Sequence, residues 1–202
     1  ILASNERDHP WMDEGLNSFL ESRYMKKHHP NLMMRDIYGG GKLIDFGMKW
    51  AGIYNLKHDK LLQHANTIAA RDNTDQPIEL KSEAYSSLNY GSIAYAKTAF
   101  VFNYLMQYLG KDKTNEFMLE YFERWKFKHP QPEDFEKVVI DVTNDSLKWF
   151  FDDVIRSEKK MDYAITRIQK EEGKLRVKVK NYGKIAGPFP ISLLQGKDTI
   201  ST

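Results

Sequence analysis

The hydrophobic period of this chain changes once, and that change divides what it can fold into. As far as about Ile155 the apolar residues recur at helical spacing, whereas beyond Lys160 they recur at every second position. Leu175, Val177 and Val179 alternate with Arg176, Lys178 and Lys180, the pattern of a half-buried strand. Tyr163 to Ile168 is expected to pair with it across Glu171-Glu172-Gly173. Pro188-Phe189-Pro190 then leads into a third strand, Ile191 to Leu194. The expectation is a mainly-α chain with a helical unit over residues 1–158 and the opening strands of a β unit over 159–202.

Within the first unit, Trp11 to Lys27 places Leu16, Phe19, Leu20 and Tyr24 on a helix. Pro10 stands in front of it, the acids Asp13 and Glu14 occupy its first turn, and it stops before Pro30. Gly39-Gly40-Gly41 breaks regular structure, Ile44 to Tyr54 reads as a further helix, and a polar stretch runs from Arg71 to Pro77. Ser92 to Leu109 is a helix stopped by Gly110. Thr114 to Trp125, a helix opened by Pro132-Glu133-Asp134, and Ser146 to Ile155 complete the unit. At about 100° per residue, Ile93, Phe100, Val101, Tyr104, Leu105 and Tyr108 form one stripe, with Tyr95 opposite its middle. Phe102 and Leu109 share the Tyr95 side, so that side either faces a cleft or forms a second buried face.

Composition excludes several classes of function. Of 202 residues, 41% are hydrophobic and 29% charged, which leaves no room for a fibrous, low-complexity or disordered reading. A net charge of +2 is too small for a domain that tracks a phosphate backbone, so no nucleic-acid partner is expected. The absence of Cys excludes disulfides and Cys-based zinc sites. No apolar run reaches membrane-spanning length, so no membrane span is expected in this segment. The first residues turn charged almost at once and lack an initiator Met, and the sequence ends within a strand pattern; an excised piece of something longer is expected. Nothing in the residues encodes compartment or oligomeric state.

Two segments carry candidate chemistry. Trp11-Met12-Asp13-Glu14-Gly15 resembles the W-L-N-E-G of gluzincin zinc metallopeptidases of the aminopeptidase N type, and Tyr90-Gly91-Ser92-Ile93-Ala94-Tyr95-Ala96-Lys97-Thr98 is similar to their Y-x-x-x-x-Y-x-K-G. In that family a preceding helix carries H-E-x-x-H, whose two His bind zinc, and the third ligand is the Glu of the first motif. The resemblance thus implies Glu14 as a zinc ligand, with the two His upstream of Ile1. It implies Tyr95 as the hydroxyl donor to the oxyanion of the tetrahedral intermediate, a role that a neutral, weakly acidic donor fits. Tyr90 is the companion position, and Glu21, seven residues beyond Glu14, is a candidate support on the same helix face. The departures are Met12 for Leu, Asp13 for Asn and Thr98 for Gly; the last bears on how closely the backbones pack.

The same resemblance implies a fold: the helical C-terminal half of a thermolysin-like catalytic domain followed by the start of a β-sandwich. It extends loosely through Glu120–Phe127, Pro132–Phe135 and Leu147–Phe151, runs similar to those of bacterial members. It implies a zinc-dependent hydrolase cleaving peptides near their N-terminus. Because both His ligands and the general base are missing from these residues, the chain alone is expected to be inactive. Without the resemblance, Glu14 reads as a first-turn acid, Tyr95 as a core tyrosine and Glu21 as a solvated acid. His28-His29 read as cations at a helix end, His58 and His64 fall on different faces, and His9 has no assigned role. Two rival functions stand beside the peptidase: a non-catalytic relative acting as a scaffold, and an unrelated helical interaction domain. For the second, the discriminating observation is whether Glu14 and Tyr95 share a cleft.

Overall fold

Trp11, fully buried in the turn that opens the helical part, stacks on Phe102 and meets Phe135 edge-on. The computed structural model describes residues 4–58, 60, 75–171, 173–196 and 198–201; His64 and residues 71–74 of the polar stretch lie outside them. A π-helical turn, Trp11–Gly15, feeds into α1 (Leu16–His28). Then come α2 (Met34–Tyr38) and α3 (Lys42–Trp50). A short turn, Ser87–Asn89, continues into a second π-helical segment, Tyr90–Lys97, and this into α4 (Thr98–Leu109). Then α5 (Lys111–Trp125), α6 (Pro132–Thr143) and a last π-helical turn, Trp149–Ile155, close the helical part.

The helix ends follow from local chemistry. Gly110, at φ 84°, ends α4 and opens α5, a left-handed conformation that costs glycine little. At the start of α6 the Gln131 N–H donates to the Asp134 carboxylate over 2.9 Å, and Pro132 gives up an N–H that had no helical partner. Asn144, in the left-handed region, ends α6.

α1 and α5 pack against α4, and α6 packs against α5. Phe102 of α4 sits at the junction, fully buried, with rings of Trp11, Phe19, Phe135 and Phe150 within 6.0 Å. Phe117 and Tyr121 of α5 reach Phe135 edge-on. Burying such rings contributes about 1.5–3 kcal/mol each, with edge-to-face contacts adding to that.

The strands come last, as the period implies. β1 (Tyr163–Glu171) pairs antiparallel with β2 (Lys174–Asn181) around Gly173, and β3 (Leu193–Gln195) pairs with β4 (Asp198–Ser201). A bulge between Ile165 and Arg167 sets Ile165 opposite Val179 and Ile168 opposite Val177. The segment after β2 returns to the helices. Ile185 is buried in their core, and the Tyr104 hydroxyl donates to the Pro188 carbonyl.

Several boundaries differ from the sequence reading. The helix expected over Ile44 to Tyr54 runs instead over Lys42–Trp50, because Gly52 turns the chain at φ 71°. The helix expected from Ser146 starts at Trp149, since Leu147 lies at φ 45° and the Asp145 carboxylate accepts its N–H. The third strand is Leu193–Gln195 rather than Ile191 to Leu194. The stripe on α4 is also shifted. Phe100 and Tyr108 are exposed, whereas Phe102, on the Tyr95 side, is fully buried. Among the described residues no helix is long and apolar enough to cross a membrane.

Candidate active site

Glu14 and Tyr95 both stand in π-helical segments, and these two segments pack on each other. The wider turn is an uncommon geometry that recurs at functional sites. In the first segment it turns Trp11, Met12 and Gly15 into the core and leaves Asp13 and Glu14 half-buried on the other side. In the second, Ile93, Ala94 and Ala96 are buried, and Tyr95 is half-buried at the core's edge.

The approach is close because Gly15 has no side chain. A Cβ there would lie 2.2 Å from Thr98 Cγ2 and 2.7 Å from the Ala94 carbonyl oxygen. Thr98, where the resembling motif has Gly, is fully buried and its hydroxyl donates to the Ile93 carbonyl over 2.9 Å. The extra side chain is thus absorbed opposite Gly15, and its hydroxyl satisfies a carbonyl within the widened helix.

This packing brings Tyr95 close enough to Glu14 for the carboxylate to act on the Tyr95 hydroxyl. Burial first, and then the Glu14 carboxylate, push the Tyr95 hydroxyl well above the ordinary tyrosine range. Tyr95 is therefore a neutral donor at any physiological pH. Tyr90 meets the Tyr95 ring edge-on at 5.9 Å, and its own hydroxyl lies 3.5 Å from Glu6 Oε1. Burial and the Glu6 and Glu14 carboxylates raise the Tyr90 hydroxyl too, against a lowering hydrogen bond with Ser82. Beside them, Asp13 is raised by burial and then by the Glu14 charge, and its carboxylate accepts from the Asn17 amide. Glu14, Tyr95 and Tyr90 thus come together in one place.

Glu21 goes elsewhere. It is exposed, and its carboxylate lies 3.8 Å from His58 Nε2. His9 points at Glu79, at 4.0 Å, and Glu79 in turn pairs with Arg156. His28 stacks on Tyr24 at the exposed end of α1. Among the described residues no group of three or more His, Asp or Glu is placed to hold a metal ion.

Sequence reasoning missed the residues that hold the tyrosine helix. Lys97 Nζ donates to the Asp75 carboxylate at 2.8 Å and to the Gln76 carbonyl at 2.9 Å. The Gln76 amide joins Ala84, Ser86 and Asn89. Lys97 lies inside the motif, but Asp75-Gln76 reads only as a polar stretch; nothing local says that its partners lie 8 to 22 residues away.

Comparison with known families matches residues 3–154 to the peptidase family M1 domain. Among curated proteins none matches the chain. The family match takes in Glu14, Tyr90 and Tyr95 and three-quarters of the 202 residues, and the chain belongs to the M1 family of peptidases.

Proposed function

We propose that this chain supplies one metal ligand and the oxyanion donor, Glu14 and Tyr95, of a zinc-dependent aminopeptidase. The observation that supports the reading is the close packing of the two π-helical segments that carry Glu14 and Tyr95, through Gly15 against Ala94 and Thr98. The rival reading of an unrelated helical interaction domain falls with the family match.

M1 peptidases are zinc-dependent in general. The residues present fit one corner of such a site: Glu14 offers a half-buried anionic oxygen at the edge of the core. These 202 residues contain no H-E-x-x-H motif, so on this reading the two His and the general base have to come from outside them. Bound zinc would supply a Lewis acid for the attacking water and the scissile carbonyl.

The chain's own residues do the rest. Tyr95 keeps its proton, because burial disfavours the phenolate and a tyrosine hydroxyl is a weak acid to begin with. A retained proton on a fixed hydroxyl is a hydrogen-bond donor, and it stabilises the negative charge that develops on the peptide oxygen. Gly15 and Thr98 fix the spacing between donor and ligand. Tyr90 supports the Tyr95 ring edge-on and limits its rotation. We place the domain boundary after residue 158, with the strands of 159–202 opening a β-sandwich that follows the catalytic unit.

The purified chain is without peptidase activity on this reading, since it lacks two ligands and the base. Robust hydrolysis of an aminoacyl reporter by the contaminant-free chain overturns that. The catalytic assignment is tested in an enzyme form that includes the preceding helix. Tyr95→Phe lowers kcat by about 10²–10³-fold there, the loss typical of one oxyanion donor. An unchanged kcat removes Tyr95 from the mechanism. Absence of His-Glu and His at the expected places upstream of Ile1 makes the protein a scaffold instead.

A further inference from the structure

Asp75 and Gln76 touch both ends of the helical segment that carries Tyr90 and Tyr95. At its far end, Lys97 Nζ donates to the Asp75 carboxylate at 2.8 Å and to the Gln76 carbonyl at 2.9 Å. Both side chains of that ion pair are largely buried, 16% and 12% exposed. At its near end, Gln76 Oε1 accepts from the Ser86 N–H at 3.1 Å and from Asn89 Nδ2 at 2.8 Å, while Gln76 Nε2 donates to the Ala84 carbonyl at 3.0 Å. One dipeptide therefore clamps residues 84–89 and 97, on either side of the two tyrosines.

The dipeptide is itself fixed. Ile78, two residues on, is fully buried, and its N–H donates to the Ile155 carbonyl at 3.0 Å. The Tyr85 hydroxyl donates to the Ile78 carbonyl, and Glu79 is held by Arg156 at 3.1 Å. The clamp thus ties the tyrosine helix to the last helical turn of the domain. Gly15 packs on the same helix at Ala94 and Thr98.

We propose that Asp75, Gln76 and Lys97 are positioning residues for the reaction: they hold the pitch of Tyr90–Lys97 and so set where the Tyr95 hydroxyl stands relative to Glu14. The inference rests on the reading of Tyr95 as oxyanion donor. A displacement of about 1 Å at a catalytic group can cost two orders of magnitude in rate, so removing the clamp acts on kcat.

The test has two arms. In this chain, amide hydrogen exchange across residues 90–97 is compared between wild type, Gln76→Ala and Lys97→Met. Exchange there rises at least about tenfold in both variants while α5 and α6 keep their protection. Unchanged exchange in 90–97 overturns the clamp whatever the enzyme does. In the zinc-helix-containing enzyme, the same variants lower kcat about tenfold or more with KM within about twofold, and Lys97→Arg, which keeps the charge, recovers most of the loss. Combined with Tyr95→Phe, Gln76→Ala then adds little further loss, because both act through one hydroxyl. Full additivity, or no recovery by Lys97→Arg, overturns the inference. A Tyr95→Phe variant with full kcat refutes the oxyanion reading while leaving the exchange result to judge the clamp.

Discussion

Gly15 and Thr98 touch across the two helices that carry the candidate site: a Cβ on Gly15 would fall 2.2 Å from Thr98 Cγ2 and 2.6 Å from its Cβ. The contact sets the distance between the backbones of Glu14 and Tyr95, one residue and three residues away. In the resembling motif a Gly stands at the position of Thr98; here Thr98 fills the space, and Gly15 alone provides it. Any side chain at Gly15 must push the tyrosine helix outward.

Gly15→Ala therefore destabilises the chain. In an ordinary helix this change gains about 1 kcal/mol of propensity. Here overpacking costs about 1–3 kcal/mol, and the Ala94 carbonyl oxygen, at 2.7 Å, cannot swing aside as a side chain can. The urea midpoint falls, and Thr98→Gly in the same chain restores only part of it, since the Ala94 clash remains. A midpoint equal to or above wild type would mean that the helices do not approach this closely.

Two phenylalanines on α4 separate the two candidate faces of that helix. Phe102 is fully buried among Trp11, Phe19, Phe135 and Phe150, and Phe102→Ala costs about 3–5 kcal/mol. Phe100 is 41% exposed, and Phe100→Ala costs well under half of that. Chemical denaturation of the two variants ranks them directly. The reverse order would restore the stripe that periodicity selects.

That stripe shows what the sequence carries and where it stops. The change of period after Lys160 and the turn residues Gly110 and Gly173 made the helices-then-strands order legible, because each depends on residues close together. For Phe102 the residues left two readings open, a cleft or a second buried face, and only the folded chain shows that it is buried while Phe100 and Tyr108 of the expected stripe are exposed. The π-helical turns at Glu14 and Tyr95 change the rotation per residue, which a wheel drawn at a fixed angle cannot follow. Glu14 and Tyr95 were singled out by their motifs, since spacing alone gives each an ordinary structural role. Asp75 and Gln76 were not found, because their partners become neighbours only in the folded chain.

High pH unfolds the protein through its buried tyrosines. Burial pushes Tyr104 up to about 12, and burial raises Tyr121 and Tyr85 further still. An unfolded tyrosine ionises near pH 10, so between that pH and the folded value the unfolded state sheds protons that the native state keeps. The stabilising contribution is complete below about pH 10 and is lost as pH rises through about 12. Thermal midpoints measured from pH 8 upward are flat at first and then fall. Tyr121→Phe, which removes one such group, makes the fall shallower, and an unchanged slope would exclude Tyr121 as a contributor.

Zinc leaves the stability of this chain almost untouched. One carboxylate, Glu14, stands where the resembling family places a ligand, and no described group gathers three donors. A metal that binds only the native state raises stability by RT ln(1 + [L]/Kd), which is negligible when the free metal is well below Kd. At tens of micromolar zinc the thermal midpoint therefore stays within about a degree of the chelator-treated chain, and Glu14→Gln behaves alike. In the enzyme form that includes the two His, zinc raises the midpoint by several degrees and Glu14→Gln removes most of the rise, because losing one of three protein ligands leaves an incomplete tetrahedral site. A large zinc shift in the 202-residue chain, abolished by Glu14→Gln, would instead mean that these residues complete a metal site unaided.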